Sequence, residues 1–588
     1  MGRRRGLRLP APLLLLFLTA LLFLLAPALR AQDSVMVINP DEPGADSASL
    51  GLPAEVLAEL LDTWNDSATV RLPGGLLLPA GARLGGSIAV LRGTLRVAGE
   101  IEGRLTVING DLVILPGGTV RGAVLVAGGR MTVQEGGTHE GPLRVYWDAA
   151  PVARQSDGDL AVRERRRGIG ELATAERTFG SGHIRTTIRL TTTQTYNRIE
   201  GLGLVFGPAF EWRPTRSLAA TLDLRGILRT APDPSPFRRD LGWMIRTDWR
   251  FHGPRGFGVG ARTYSVIAGI EEQTLPRDEI GWNAFLLQRD NRDYFASEGV
   301  SGSGYVYLTK RLRLDGGVRY EKQGSVRAND PWSLFRNTDR WRPNPLIDDG
   351  HYTTFGGSLE YDSRNARSGA SSGWWLRGGA EHSRSDDVAP VALPTTVRSA
   401  IPTRHYGFAR FTLDLRRYNR LTPEINLNFR IWAGGWLTGD PLPLQKRLSL
   451  GGPDLLPGYP FRALDCAPAG LSDPAHPALC DRALITQMEF RHRLKFRAGY
   501  TVRDANHREL DRFLGIEDPD LVILGDAGSA WLAGNGPGKV ASDRIRSISE
   551  WKADVGVGID AGGIALYLVK AVTDGEPLRV YLRLERRF

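Results

Sequence analysis

The sequence predicts an all-β chain: a sixteen-stranded transmembrane β-barrel of an outer membrane, preceded by a small periplasmic β-helix. Three observations predict it. From residue 183 onward, segments of alternating apolar and polar residues recur between turn signals, the pattern of strands that are oily on one face and wet on the other. Before them, a shorter stretch repeats at a nearly constant period. The first residues look like an export signal, and no later apolar run approaches the ~20 residues of a spanning helix, so a membrane span has to be a closed barrel.

Bulk properties agree. A chain of 588 residues is too long for one soluble core and points to at least two domains. Its hydrophobic fraction, 42 %, is low for a helical membrane protein, and its 70 glycines suit turns and bent strands. The net charge of +10 is scattered, so no nucleic-acid partner is expected.

Residues 1–31 read as a signal peptide: Arg3, Arg4, Arg5 and Arg8, then the apolar run Leu13 to Leu25, then Ala26-Pro27-Ala28, with cleavage after Ala28 or Ala31. Residues 32–68 hold one amphipathic helix. Pro53 starts it, and Val56, Leu57, Leu60, Leu61 and Trp64 share a face that is expected to dock on the next domain. Residues 69–145 repeat: Gly86, Gly103, Gly122 and Gly141 stand 17, 19 and 19 apart, and Val90, Val107 and Val126 keep step. Each unit reads as two short strands between glycine turns. A unit this short buries its apolar face only by stacking on its neighbours. The repeat resembles the β-helix of bactofilins, which implies a capped module with self-association as an alternative. Residues 146–182 read as a linker, with Arg163-Glu-Arg-Arg-Arg167 as a solvated tether or a contact for anionic headgroups.

Sixteen strands are then expected, near 183–194, 201–213, 216–229, 239–251, 256–269, 300–309, 311–322, 351–364, 373–384, 404–417, 422–434, 482–495, 519–532, 549–560, 562–571 and 577–588. Trp243, Trp249, Trp374, Trp375, Tyr418 and Trp432 fall near segment ends, as interfacial girdles do. In the last strand Leu578, Val580, Leu582, Leu584 and Phe588 share one face, and Arg579, Arg583, Glu585 and Arg587 the other. A seam between the first strand and this one is expected to involve Tyr581, Leu582 and Phe588.

The connection from Gly435 to Asp481 carries Leu448-Ser-Leu-Gly-Gly-Pro-Asp-Leu-Leu-Pro-Gly-Tyr459. Ala483 to Arg491, Leu524-Gly-Asp-Ala-Gly-Ser-Ala-Trp531, Lys552 to Ile559 and Asn197-Arg-Ile-Glu-Gly201 follow the same style. Together these resemble the BamA/TamA family of the outer-membrane assembly superfamily (the bacterial surface antigen domain), over roughly residues 183–588. The resemblance implies a lumen loop built on Gly451, Gly452, Pro457, Gly458 and Tyr459. It also implies a location in the outer membrane of a Gram-negative bacterium, with the N-terminal part in the periplasm. Two departures stand out. Where the family has an Arg that tucks the loop into the lumen, this chain has Pro457, so Arg462 is expected to substitute, with Asp526 as its partner. The family also usually carries POTRA modules, and no segment here reads as one.

The implied function is assembly or insertion of outer-membrane proteins, or polypeptide translocation, with outer-membrane lipid, client barrels and periplasmic or assembly proteins as partners. The alternative is a structural or passive-pore barrel anchored through the β-helix. Catalysis is not expected. No Gly-x-Ser-x-Gly occurs, Gly534 to Lys539 lacks phosphate-loop spacing, and the nine histidines form no ligand cluster, so neither a metal nor a cofactor is expected. Cys466 and Cys480 lie in the long external connection. Export favours a bridge between them, with free thiols the alternative.

Overall fold

A computed structural model describes residues 36–38, 52–155, 158–162, 174–180, 183–192 and 196–588, apart from residues 216, 232–240, 252–255, 271–274, 276, 336–339, 367–368, 469–475, 495–496, 504–508, 536–537, 563 and 585. The expected signal peptide and the run Arg163–Arg167 lie outside the described residues. The fold is all-β: a β-solenoid followed by one seventeen-stranded antiparallel sheet.

The solenoid has three parallel faces rather than the expected two strands per unit. One stacks Val70–Pro73, Ile88–Leu91, Leu105–Ile108, Val124–Ala127 and Leu143–Tyr146. The second includes Leu76–Leu78, Thr94–Val97, Asp111–Ile114 and Met131–Val133, and Met36–Ile38 pairs antiparallel on its edge. The third is built of two-residue strands, such as Glu100–Ile101 and Thr119–Val120. Strands this short leave little periodic trace, which is why the sequence reading missed that face. Ile88, Val90, Leu105, Val107, Val124 and Val126 fill the interior, each at most 2 % exposed. The glycine ladder has a steric cause. A Cβ on Gly122 would fall inside the van der Waals envelope of the Gly103 carbonyl oxygen, and one on Gly103 would collide with Gly86 in the same way. Only glycine lets successive coils turn at that corner.

Helix α1 (Ala54–Asn65) covers one outer face of this solenoid. Val56, Leu60 and Trp64 pack on Ala89, Leu91, Ile108, Leu125 and Ala127. The expected linker is structured in part. Val152–Arg154 and Leu160–Val162 form a hairpin against α1, and Asn65 clamps Leu160 by both its backbone N–H and its carbonyl, at 2.8 and 3.0 Å.

The large sheet comprises β1 (Thr174–Phe179), β2 (Ile184–Thr192), β3 (Gly203–Thr215), β4 (Leu218–Arg229), β5 (Leu241–Phe251), β6 (Phe257–Gly269), β7 (Tyr294–Tyr307), β8 (Leu312–Ser325) and β9 (Gly350–Asp362). It continues through β10 (Gly373–Ser385), β11 (Tyr406–Arg420), β12 (Ile425–Gly439), β13 (Arg482–Arg493), β14 (Asp520–Trp531), β15 (Lys552–Asp560), β16 (Ala565–Ala571) and β17 (Arg579–Arg583). Every strand pairs with the next. Each expected strand has a counterpart, but the count of sixteen becomes seventeen because Thr174–Phe179, read as linker, adds on before the first. The strand expected at 300–309 starts earlier, at Tyr294. Gly299, Gly302 and Gly304 had interrupted its apolar alternation.

The sheet also departs from the expected closed barrel. Its order ends at β1 on one side and β17 on the other, and no strand pairing among the described residues joins the two. β17 stops at Arg583, short of the expected end at residue 588. One face of the sheet carries exposed apolar side chains, among them Ile188, Leu190, Phe206, Phe210, Ile245, Val259, Val318, Phe355, Val557, Leu566, Val580 and Leu582, each 38–57 % exposed. The other face holds ions and buried loops.

The solenoid sits against the end of the sheet that carries the short connections. Arg420, at the end of β11, donates to the Gly128 carbonyl at 2.9 Å and pairs with Asp111 at 3.1 Å. The Ala149 N–H donates to the Asn365 carbonyl at 2.8 Å, and the Trp147 indole to that of Ser363 at 3.3 Å. α2 (Arg277–Leu287) lies in the β6–β7 connection at the opposite end.

Candidate functional site: the inner loop and the open seam

The β12–β13 connection doubles back along the ionic face. Three isolated bridges shape it: Leu448 with Cys480, Leu450 with Leu464, and Gly452 with Leu456. Gly451 and Gly452 take φ of 114° and 97°, a region that disfavours side chains, so the turn requires them. Cys466 and Cys480 are joined by a disulfide, with Cα atoms 5.0 Å apart. Leu448, Leu450, Leu455, Leu456 and Tyr459 then pack on Trp432, Ala483, Ile485, Ala530 and Ala571, inner residues of β12 to β16.

The tip of this loop is fastened to the wall. The Gly458 N–H donates to Asp554 Oδ2 at 2.6 Å. A Cβ at Gly458 would stand 2.5 Å from the Asp554 Cβ and 2.8 Å from the Ala571 nitrogen, so this contact too demands glycine. The Tyr459 hydroxyl meets Thr573 Oγ1 and reaches the Ala553 carbonyl at 3.4 Å. Gln487 donates to the Asp454 and Leu455 carbonyls at 3.0 and 3.1 Å. Arg583 of β17 donates to the Pro453 carbonyl and Asp454 Oδ1, both at 3.2 Å, and pairs with Glu279 of α2 at 2.7 Å. Pro457 lies in this buried tip with no side-chain donor to offer the wall.

The charge partners differ from expectation. Arg462 is buried, but its guanidinium meets Asp293, not Asp526, and donates to the His476 carbonyl at 2.7 Å. Asp293 is a hub. Arg198 from the β2–β3 connection reaches it at 2.7 Å and Arg342 from the β8–β9 connection at 2.5 Å. Four connections therefore meet at one carboxylate. Burial alone would raise its pKa, but the Arg462, Arg342 and Arg198 guanidiniums outweigh that and hold it well below the usual carboxylate range. Arg198 belongs to the Asn197–Gly201 motif, but nothing in that motif names its partner.

Asp526 is held instead by Arg587, whose Nη1 also lies 3.6 Å from Glu489. Asp526 stands directly across from Asp554, the acid that binds the loop tip. A guanidinium thus does reach this acid pair, but from the residues after β17 rather than from the loop. Arg586 likewise turns inward, to Asp520 at 3.0 Å and Asp560 at 3.4 Å. This corrects the expected terminal strand. The inward arginines take the chain off the sheet, so Phe588 ends no ladder and, half-buried, does not form the seam. Tyr581 faces inward opposite Tyr567, and Leu582 faces outward opposite Leu566.

The seam differs as well. The expected pairing of the first and last strands is absent among the described residues, and the edge of β2 is occupied by β1, in register from Thr174 opposite Thr191 to Phe179 opposite Thr186.

No family model and no curated protein sequence matches the chain. Solved structures similar to it include BamA from Haemophilus ducreyi lacking POTRA domains 1–3, with a TM-score of 0.38 and 10 % identity over 74 % of this chain and 73 % of that one. CdiB from Escherichia coli has a TM-score of 0.30 and 11 % identity over 69 % and 63 % of the two chains. CdiB from Acinetobacter baumannii has 0.28 and 10 % over 70 % and 65 %.

Proposed function

We propose that this chain is an outer-membrane barrel that assembles or inserts other outer-membrane proteins, or passes a polypeptide through that membrane, by offering strand edges at its seam. One observation carries the reading: a seventeen-stranded sheet whose first and last strands, among the described residues, are not paired with each other. An unpaired strand edge in lipid leaves N–H and C=O groups without water, a cost of several kcal/mol each, so a barrel that keeps one open has a use for it. The outward apolar belt supports placement in a bilayer, because Leu578 just before β17 and Val580 and Leu582 within it are each more than half exposed while Arg583 is 1 % exposed. The inner loop supports a working seam too, since it braces β13 to β17 from within while, among the described residues, no strand pairs with the outer edge of β17.

The partners of this reading are outer-membrane lipid and client barrel proteins, with the solenoid in the periplasm where POTRA modules would otherwise stand. A second reading, a structural barrel anchored through its solenoid, is favoured by the docking of Arg420 between Gly128 and Asp111. Depletion of the protein in its host separates the two. Loss of several barrel proteins from the outer membrane supports assembly, and unchanged levels with an altered envelope shape support the structural role.

A further inference from the structure

We propose that Thr174–Phe179 is a resident stand-in for a client strand, holding the edge of β2 until an incoming strand displaces it. This rests on the reading that the seam receives client strands.

Three features of β1 argue for a replaceable occupant. It pairs over six residues with β2, in register and antiparallel, so it satisfies the edge that a client would need. Its inward side suits the wall: Glu176 pairs with Arg189 at 3.3 Å, and Thr178 Oγ1 meets Thr187 Oγ1 at 3.0 Å. Its outward side does not. Arg177 stands opposite Ile188, at the middle of β2, among the exposed apolar side chains Ile184, Ile188 and Leu190. A charge on the lipid face at that depth is costly, and among the described residues the guanidinium is met by the Phe179 ring, 5.1 Å away. A permanent wall strand would carry an apolar residue at that position, as β2, β16 and β17 do. The partner that fits this edge better than β1 is an extended strand with apolar residues on its outer side and threonine-like residues on its inner side. Such a strand keeps the backbone ladder and removes the charge from the outward face.

The test uses the full chain in lipid vesicles carrying Thr178→Cys and Thr187→Cys, whose side chains already touch. A synthetic peptide alternating leucine and threonine is added before oxidation. At about ten times its dissociation constant the peptide is expected to slow formation of the engineered bridge roughly tenfold, by simple competition. The same peptide with lysine in the leucine places is expected to have no effect. Arg177→Leu is expected to raise the peptide concentration needed by on the order of tenfold. Bridge formation that is indifferent to the leucine peptide overturns the proposal. A separate arm measures how fast the vesicles fold a urea-unfolded outer-membrane barrel, with the bridge closed and after reductant, using reductant-treated wild type as control. Wild type no faster than empty vesicles overturns the function proposed above, whatever the peptide does. Normal folding with the bridge closed overturns the stand-in alone.

Discussion

The two halves of the large sheet solve the problem of an ionic interior in opposite ways. In β3 to β8 four inward pairs lie along one strand, two residues apart: Arg213 with Glu211, Arg225 with Asp223, Arg246 with Asp248, Arg313 with Asp315. These arginine side chains are 34–63 % exposed. In β13 to β17 and just beyond, dry arginines reach carboxylates on other elements, although Arg491 also pairs within its own strand. Arg491 meets Glu489 and Asp560, Arg583 meets Glu279 and Asp454, and Arg587 meets Asp526. The side chains of these three arginines are at most 2 % exposed. A pair within one strand neutralises charge but ties nothing to anything. A buried pair between strands or loops fixes geometry and is costly to break. The first half is therefore the compliant wall, and the second is the anchored one. The seam lies where they would meet.

Four substitutions or treatments sharpen or break that contrast, each read as urea unfolding of the protein in micelles by tryptophan fluorescence. Asp293→Ala is expected to cost most, at the upper end of ~3–5 kcal/mol, because it removes the carboxylate that three guanidiniums share at the junction of four connections. A loss below ~1 kcal/mol would show that the hub is solvated and the contrast false. The same carboxylate sets an acid limit. Its pKa is depressed, so its contribution is full above the ordinary Asp range near ~3.9 and is lost only as pH falls towards the folded value. Stability from this hub that declines between pH 7 and 5 would contradict the geometry.

Arg587→Met comes next, at about 3 kcal/mol, since it leaves Asp526 and Asp554 facing each other without a cation. Adding Asp526→Asn to it is expected to restore most of the loss. No recovery would mean that Arg587 acts through packing. Reducing the Cys466–Cys480 bridge is expected to cost ~2–3 kcal/mol by freeing a short loop, and to loosen Tyr459 from Thr573. An unchanged midpoint would show that the loop tip holds without it. Asp223→Asn, in the compliant half, is expected to change stability by less than ~0.5 kcal/mol. A loss comparable to that of Arg587→Met would erase the distinction between the halves.

Period-two alternation exposed the wall strands because a strand with one face in oil has to write that face into every second residue. Val580 and Leu582 show it in β17, as do Leu566 and Leu568 in β16. The stacked glycines exposed the solenoid, because only they fit where backbone lies on backbone. β1 escaped notice because Arg177 sits where an apolar residue would have kept the alternation. The short third face of the solenoid escaped because two residues cannot display a period.

From residues alone came the class of the fold, the faces of its strands and the glycines that its tight places need, since each of these is dictated by local sterics and by which side meets oil. Only the tertiary structure decided that Arg462 belongs to Asp293, that Arg587 serves Asp526, and that β1 rather than β17 holds the edge of β2. Those pairings join positions far apart in the chain. Charge attracts through space without regard to sequence separation, so no spacing along the chain records which partner wins.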